Sequence, residues 1–174
     1  MKTLVILALV VLITIPESAQ SEDKLAIAQQ YIGTFQKNLM KELKQGLTHG
    51  PTHAITICRD RAPQIAAELS NNRVTIGRTT ARLRNPLNDG PEWTAPYLTY
   101  FNNHPEDRKT LSIPLSDGKQ GYVKPIYIQR PCLNCHGKSI TPEVAEALQS
   151  NYPRDQAVGY DLGDFRGIFW VEIK

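Results

Sequence analysis

Two apolar stretches, Thr110-Leu-Ser-Ile-Pro-Leu115 and Gly121-Tyr-Val-Lys-Pro-Ile-Tyr-Ile128, flank the tetrapeptide Ser116-Asp-Gly-Lys119 in this chain of 174 residues. An Asp-Gly pair between two runs rich in β-branched and aromatic residues is typical of a β-hairpin. Pro114 and Pro125 have no backbone N–H group to donate, so they indicate edge or bulged positions. The stretch therefore predicts a sheet built on an antiparallel hairpin.

Helical patterns surround the hairpin. Apolar residues recur at three- and four-residue steps from Leu25 to Leu43, which predicts one long amphipathic helix from Glu22 to about Gly46. A second helix is predicted from about Thr52 to Leu69, and Pro63 is expected to kink or divide it. The other predicted elements are a strand at 73–77, an aromatic helix at 92–102, a helix beginning at Thr141 and a last strand at 167–173. This order predicts an α+β domain, an antiparallel sheet flanked by helices.

The N-terminal residues have the pattern of a secretory signal peptide. Lys2 is followed by an uncharged apolar run from Leu4 to Ile15, and Ala19-Gln20-Ser21 fits a cleavage site. The apolar run is shorter than the roughly 20 residues that a membrane span needs. We predict a signal peptide at 1–21, the long helix within 22–50, one domain over 51–174 and a periplasmic location, with an uncleaved membrane anchor as the alternative.

Composition excludes several classes of function. The chain is 41% apolar and 21% charged, which is ordinary globular usage, and its net charge of +3 is too small to favour a nucleic-acid partner. It has no Gly-rich phosphate loop and neither the zinc-protease nor the serine-hydrolase motif. We therefore expect a binding protein and not an enzyme.

The segment Cys132-Leu-Asn-Cys135-His136 contains the attachment motif of a c-type haem. Two thiols three residues apart match the two vinyl groups of the porphyrin, and the adjacent imidazole can bind the iron. A thioredoxin-like redox pair would need a βαβ setting, a zinc site would need further ligands, and a disulfide across so short a loop is rare. The motif thus predicts one covalent haem c, attached through Cys132 and Cys135 with His136 as an axial ligand.

The second axial ligand is left open by these patterns. Cys58 lies on the apolar face of the second predicted helix and has no obvious disulfide partner, so it is either a ligand or a small core residue. The other residues whose side chains could bind iron are His49, His53, His104 and Met40.

Basic residues follow the second predicted helix. The run holds four arginines, Arg73, Arg78, Arg82 and Arg84. Haem propionates need charge-assisted partners, so one or two of these arginines are candidates to bind them, while a solvated face is the alternative for each. We assign Arg78 and Arg82 to this role.

Four segments in one order resemble the periplasmic haem-c PAS-like sensor domains. The segments are 54–66, 77–86, 132–137 and 152–167. That family occurs alone in some bacteria and cyanobacteria, and elsewhere as the extracytoplasmic input of histidine kinases or cyclases. The resemblance implies a PAS-like antiparallel sheet flanked by helices, with haem iron between His136 and the thiolate of Cys58.

Two functions are compatible with these predictions. The first is a redox or diatomic-gas sensor that takes NO, CO or O2 as its ligand and reports to an unidentified redox or signalling partner protein. The second is a small periplasmic electron-transfer protein. A homodimer through the long helix is a further expectation, because the apolar stripe of that helix needs a cover.

Overall fold

The computed structural model describes residues 17–174 of the protein. Within that range, the helices are α1 (Glu17–Thr48), α2 (Pro51–Leu69), α3 (Ala95–Asn103), α4 (Leu133–His136) and α5 (Pro142–Asn151), and the strands are β1 (Val74–Thr79), β2 (Leu111–Pro114), β3 (Gln120–Tyr127) and β4 (Phe165–Ile173). The predicted class is confirmed: the fold is α+β, with helices against one antiparallel sheet and a long N-terminal helix.

The charged start and the whole apolar run of the predicted signal peptide lie outside the described residues. α1 begins at Glu17 and so includes the predicted cleavage site at residues 19–21. None of the helices in the described range is both long and apolar enough to cross a membrane.

The hairpin forms one side of a sheet with the strand order β1-β4-β3-β2, in which all neighbours are antiparallel. Asp117 and Gly118 have φ angles of 58° and 70° at the turn, as in the type I′ turns that favour Asp-Gly. Pro114 lies in the edge strand β2. Pro125 lies beyond Val123, the last β3 residue that pairs with β2, so no β2 neighbour faces it. Neither proline therefore sits where a strand is paired on both sides.

α1 docks along one face of the sheet, which we call the inner face. Ala28, Ile32 and Phe35 of this helix are fully buried against strand residues that include Phe169 and Val171. The Phe35 and Phe169 rings meet edge to face with 5.4 Å between their centroids. The sheet therefore covers the buried part of the apolar stripe, and the homodimer stays a prediction.

α3 covers the opposite, outer face of the sheet. Phe101 of this helix is fully buried in a cluster with Val123 and Ile168. Trp93 and Trp170 stand edge to face in the same cluster, and the indole N–H of Trp93 donates to Glu172 over 2.6 Å. Aromatic side chains thus fill the outer layer.

α2 runs through Pro63 as one helix, so of the two expected outcomes, a kink or a division, the division does not occur. A proline leaves the carbonyl four residues earlier without its helical donor. Here that carbonyl belongs to Arg59, and the buried side chain of Asn85 donates to it over 3.2 Å. The amide thus satisfies the group that Pro63 leaves free and ties α2 to the loop after β1.

Replacing Phe35 with alanine tests the docking of α1. The change removes a fully buried ring, so we expect the free energy of unfolding to fall by about 3–5 kcal/mol. Chemical denaturation measures this loss. Lys37→Ala, on the exposed side of the same helix, is the control and should leave stability unchanged; equal stability of the two variants would show that α1 does not pack on the sheet.

Candidate functional site

A cavity lies between the C-terminal half of α1, the N-terminal half of α2, the inner face of the sheet and the segment that ends in α4. One wall is apolar, with side chains from α1, β3 and β4 that include Leu39, Leu43, Ile126 and Phe169. The other end is polar. It holds the cysteine motif and three arginines, so the cavity offers apolar surface and positive charge together.

The two motif cysteines lie on one short helical stretch. A 3₁₀ turn at Arg130–Cys132 leads directly into α4. Residues three apart on a helix lie on the same side, and both Cys132 and Cys135 line the cavity. All three cysteines of the chain are free thiols, so this pair can take a covalently attached group.

His136 closes α4 and also lines the cavity. Its Nδ1 atom lies 2.6 Å from the carbonyl oxygen of Ala157, and a carbonyl can only accept, so Nδ1 carries the proton. Burial lowers the pKa of His136 well below its usual range, and the charges of Arg84 and Arg166 lower it further. The imidazole is therefore neutral, and Nε2 has a free electron pair for a metal.

Cys58 reaches the same cavity from α2. It lies one turn after the buried Ile55, which turns this face of the helix inward. Burial raises the pKa of the Cys58 thiol, while the positive charges of Arg78 and Arg84 act in the opposite direction. The structure thus brings Cys58 and His136, which are far apart in sequence, into one site.

Of the other iron-binding candidates, only Met40 lines the cavity. His49 and His53 are exposed at the corner between α1 and α2, where their ring centroids are 5.2 Å apart. His104 is exposed at the end of α3, with Nδ1 3.4 Å from a carboxylate oxygen of Glu106. The three histidines are not brought to the cysteine motif.

The arginines of the basic run have different positions. Arg78 lines the cavity, and its Nε atom is buried with no hydrogen-bond partner among the described residues. Arg82 is not among the lining residues: it donates to the carbonyls of Gln156 and Val158, and its guanidinium stacks on Tyr160. The structure therefore places Arg78 at the cavity, whereas Arg82 lies outside its lining.

Arg84 contacts both the cysteine motif and the loop that follows α5. Its guanidinium forms a buried ion pair with Asp155 at 2.9 Å, both side chains being 10% exposed. It also donates to the carbonyls of Cys135 and Ala157 over 2.5 Å and 3.1 Å. One side chain thus fixes α4 to the loop whose carbonyl orients His136.

Arg166 is a lining residue that sequence reasoning did not select. Ile126 pairs with Gly167 and Tyr127 with Phe165, so Arg166 is the extra residue of a β-bulge and has no partner across the ladder. A bulge re-aims a side chain, and here it turns Arg166 into the cavity. Burial lowers the pKa of Arg166 to about 10, so the guanidinium remains charged.

No group of three or more His, Cys, Asp and Glu side chains within residues 17–174 is arranged to hold a bare metal ion. The donors found here, a histidine and a thiol on separate elements, suit a metal that already has other ligands.

A family model described as Tll0287-like matches residues 15–174. The chain belongs to the Tll0287-like family. The fold of this family member is similar to the crystal structure of the cyanobacterial heme-protein Tll0287, with a TM-score of 0.67 and 23% identity over 87% of this chain and 94% of that one. A search of curated proteins found no match.

Replacing Asp155 with asparagine tests the ion pair of Arg84. The change leaves the buried charge of Arg84 without its partner, so we expect a loss of about 3–5 kcal/mol in the free energy of unfolding. Chemical denaturation provides the measurement. The control is Asp60→Asn, which removes the exposed partner of Arg59 and should change nothing measurable; similar losses in the two variants would contradict the role given to Arg84.

Proposed function

We propose that this protein is an exported monohaem protein that holds one covalent haem c in the cavity and senses redox state or a diatomic gas. The observation that carries the proposal is the convergence of Cys132, Cys135, His136 and Cys58 on one cavity. Membership of a family with a solved heme protein as its structural neighbour supports the cofactor. The signal-like N-terminus supports export to the periplasm, and the sheet flanked by helices is compatible with a PAS-like domain.

The residues that line the cavity fit a haem. Its ring is apolar and matches the wall formed by α1 and the inner face of the sheet. Its two propionates need cations, and the cavity holds two arginines, Arg78 and Arg166, for which the described residues supply no carboxylate partner, whereas Arg84 is paired with Asp155. Charge matching thus supports Arg78 and Arg166 as the propionate partners.

His136 would provide one axial ligand. The carbonyl of Ala157 holds the proton on Nδ1 and sets the ring orientation, which keeps Nε2 available. Such a hydrogen bond on the far nitrogen is the usual support of a metal-bound histidine.

Cys58 would provide the second axial ligand. A bound haem supplies an iron that changes oxidation state and accepts a small ligand. If haem occupies the cavity, Cys58 would supply an anionic sulfur, which ferric iron would hold more strongly than ferrous iron because the ferric charge is larger. Loss of that sulfur on reduction would leave room for NO or CO, and a partner protein would receive the signal. A sulfur that stays bound in both oxidation states would favour the electron-transfer alternative.

Covalent attachment is the first test of the cofactor. In protein exported with cytochrome c maturation, we expect acid-acetone to leave the haem on the wild type because two thioether bonds hold it. Cys132→Ser and Cys135→Ser each remove one attachment sulfur and should lower the covalent haem content, which haem staining of denatured protein measures. Extraction of the haem from the wild type would contradict c-type attachment.

The Cys58→Ala variant tests the thiolate ligand. Haem content should hold because attachment is untouched, while the ferric low-spin EPR signal changes and the reduction potential rises because a strong anionic donor is lost. Met40→Leu is the matched control, since Met40 is the other iron-binding candidate that lines the cavity. A wild-type spectrum and potential in Cys58→Ala, with changes in Met40→Leu, would assign the position to Met40.

A further inference from the structure

Tyr152 is a buried polar side chain of the cavity to which the proposed function assigns no role. It caps the C-terminal end of α5, where its backbone N–H donates to the carbonyl of Leu148 over 2.7 Å. Its side chain is 5% exposed and lines the cavity. The backbone bond and the burial together hold the ring in one place.

The packing of this ring places it near Cys58, the proposed second ligand. Tyr152 belongs to a cluster with Ile55 and Leu148, and Cys135 packs against the same cluster. Ile55 precedes Cys58 by one turn of α2, so the ring lies next to the helix face that carries Cys58. The guanidinium of Arg84 lies over the ring, 5.9 Å from its centroid, and limits its movement from the other side.

The hydroxyl of Tyr152 stays protonated. The pKa of Tyr152 is raised to about 12, chiefly by burial. A protonated phenol is a hydrogen-bond donor, and Tyr152 and Cys58 line the same cavity. This donor is neutral, unlike the arginines around it.

We propose that the hydroxyl of Tyr152 donates a hydrogen bond to whichever group occupies the second axial position. The inference rests on the proposed function and deepens it. At rest the acceptor is the sulfur of Cys58. When that sulfur has left, the acceptor is the outer atom of a small diatomic ligand, so the site favours diatomics that develop negative charge on that atom.

The test uses reduced holoprotein with carbon monoxide as the probe. Tyr152→Phe removes only the hydroxyl and keeps the ring. Tyr122→Phe is the control, because Tyr122 is also buried but does not line the cavity. Infrared spectroscopy gives the C–O stretching frequency, and a redox titration without carbon monoxide gives the reduction potential. Far-UV circular dichroism and haem content verify that both variants fold and are loaded.

Loss of the hydrogen bond should raise the C–O frequency in Tyr152→Phe, because a donor on the oxygen weakens the C–O bond. The potential should become more negative, because a donor on the ligating sulfur withdraws electron density from it. Tyr122→Phe should match the wild type in both measurements. An equal C–O frequency in wild type and Tyr152→Phe overturns the proposal.

The outcomes also separate this proposal from the proposed function. Should reduced wild type bind no carbon monoxide, the gas-sensing function fails, and the potential alone decides on Tyr152: a negative shift supports the hydrogen bond to sulfur, and no shift overturns it. An unaltered ferric spectrum in Cys58→Ala would remove the thiolate ligand, while the C–O frequency would still report on Tyr152.

Discussion

The buried ion pair between Arg84 and Asp155 is the interaction on which the candidate site depends. Arg84 comes from the loop after β1, Asp155 follows α5, and the same guanidinium bonds the carbonyls of Cys135 and Ala157. Three segments distant in sequence thereby meet at one point. Because Ala157 in turn accepts from His136, the ion pair sets the direction of the imidazole as well as the position of the cysteine motif. A buried pair of this kind is costly unless its remaining donors are satisfied, and here the carbonyls satisfy them.

The fold could be predicted in outline because its signals are local. The Asp-Gly turn predicted the hairpin, and the three- and four-residue apolar steps predicted α1 and α2. The continuity of α2 could not be predicted, since the carbonyl left free by Pro63 is satisfied by Asn85, whose proximity is created only by the tertiary fold. The packing partner of the apolar stripe of α1 could not be predicted either, because a periodic pattern shows that a face is apolar without showing what packs against it.

The residues of the site likewise include some that the sequence could predict and some that it could not. Cys132, Cys135 and His136 form a contiguous motif, so they could be identified from spacing alone, and Cys58 was indicated by its place on an apolar helix face. Arg166 was missed because strand alternation puts it on the face opposite Phe169, and only the register shift opposite Ile126 turns it into the cavity. Arg82 lies in the same basic run as Arg78, but its guanidinium stacks on Tyr160. A charge run shows where cations are, and the packing decides which of them reach a ligand.

We propose that this cavity holds iron between an imidazole and a thiolate sulfur. X-ray absorption at the iron K edge of the ferric holoprotein is the sharpest test, because sulfur and nitrogen scatter differently and the measurement needs no variant. One sulfur bound to iron, with nitrogen at the remaining positions, is the expected result. Iron bound to nitrogen or oxygen alone would overturn the proposal.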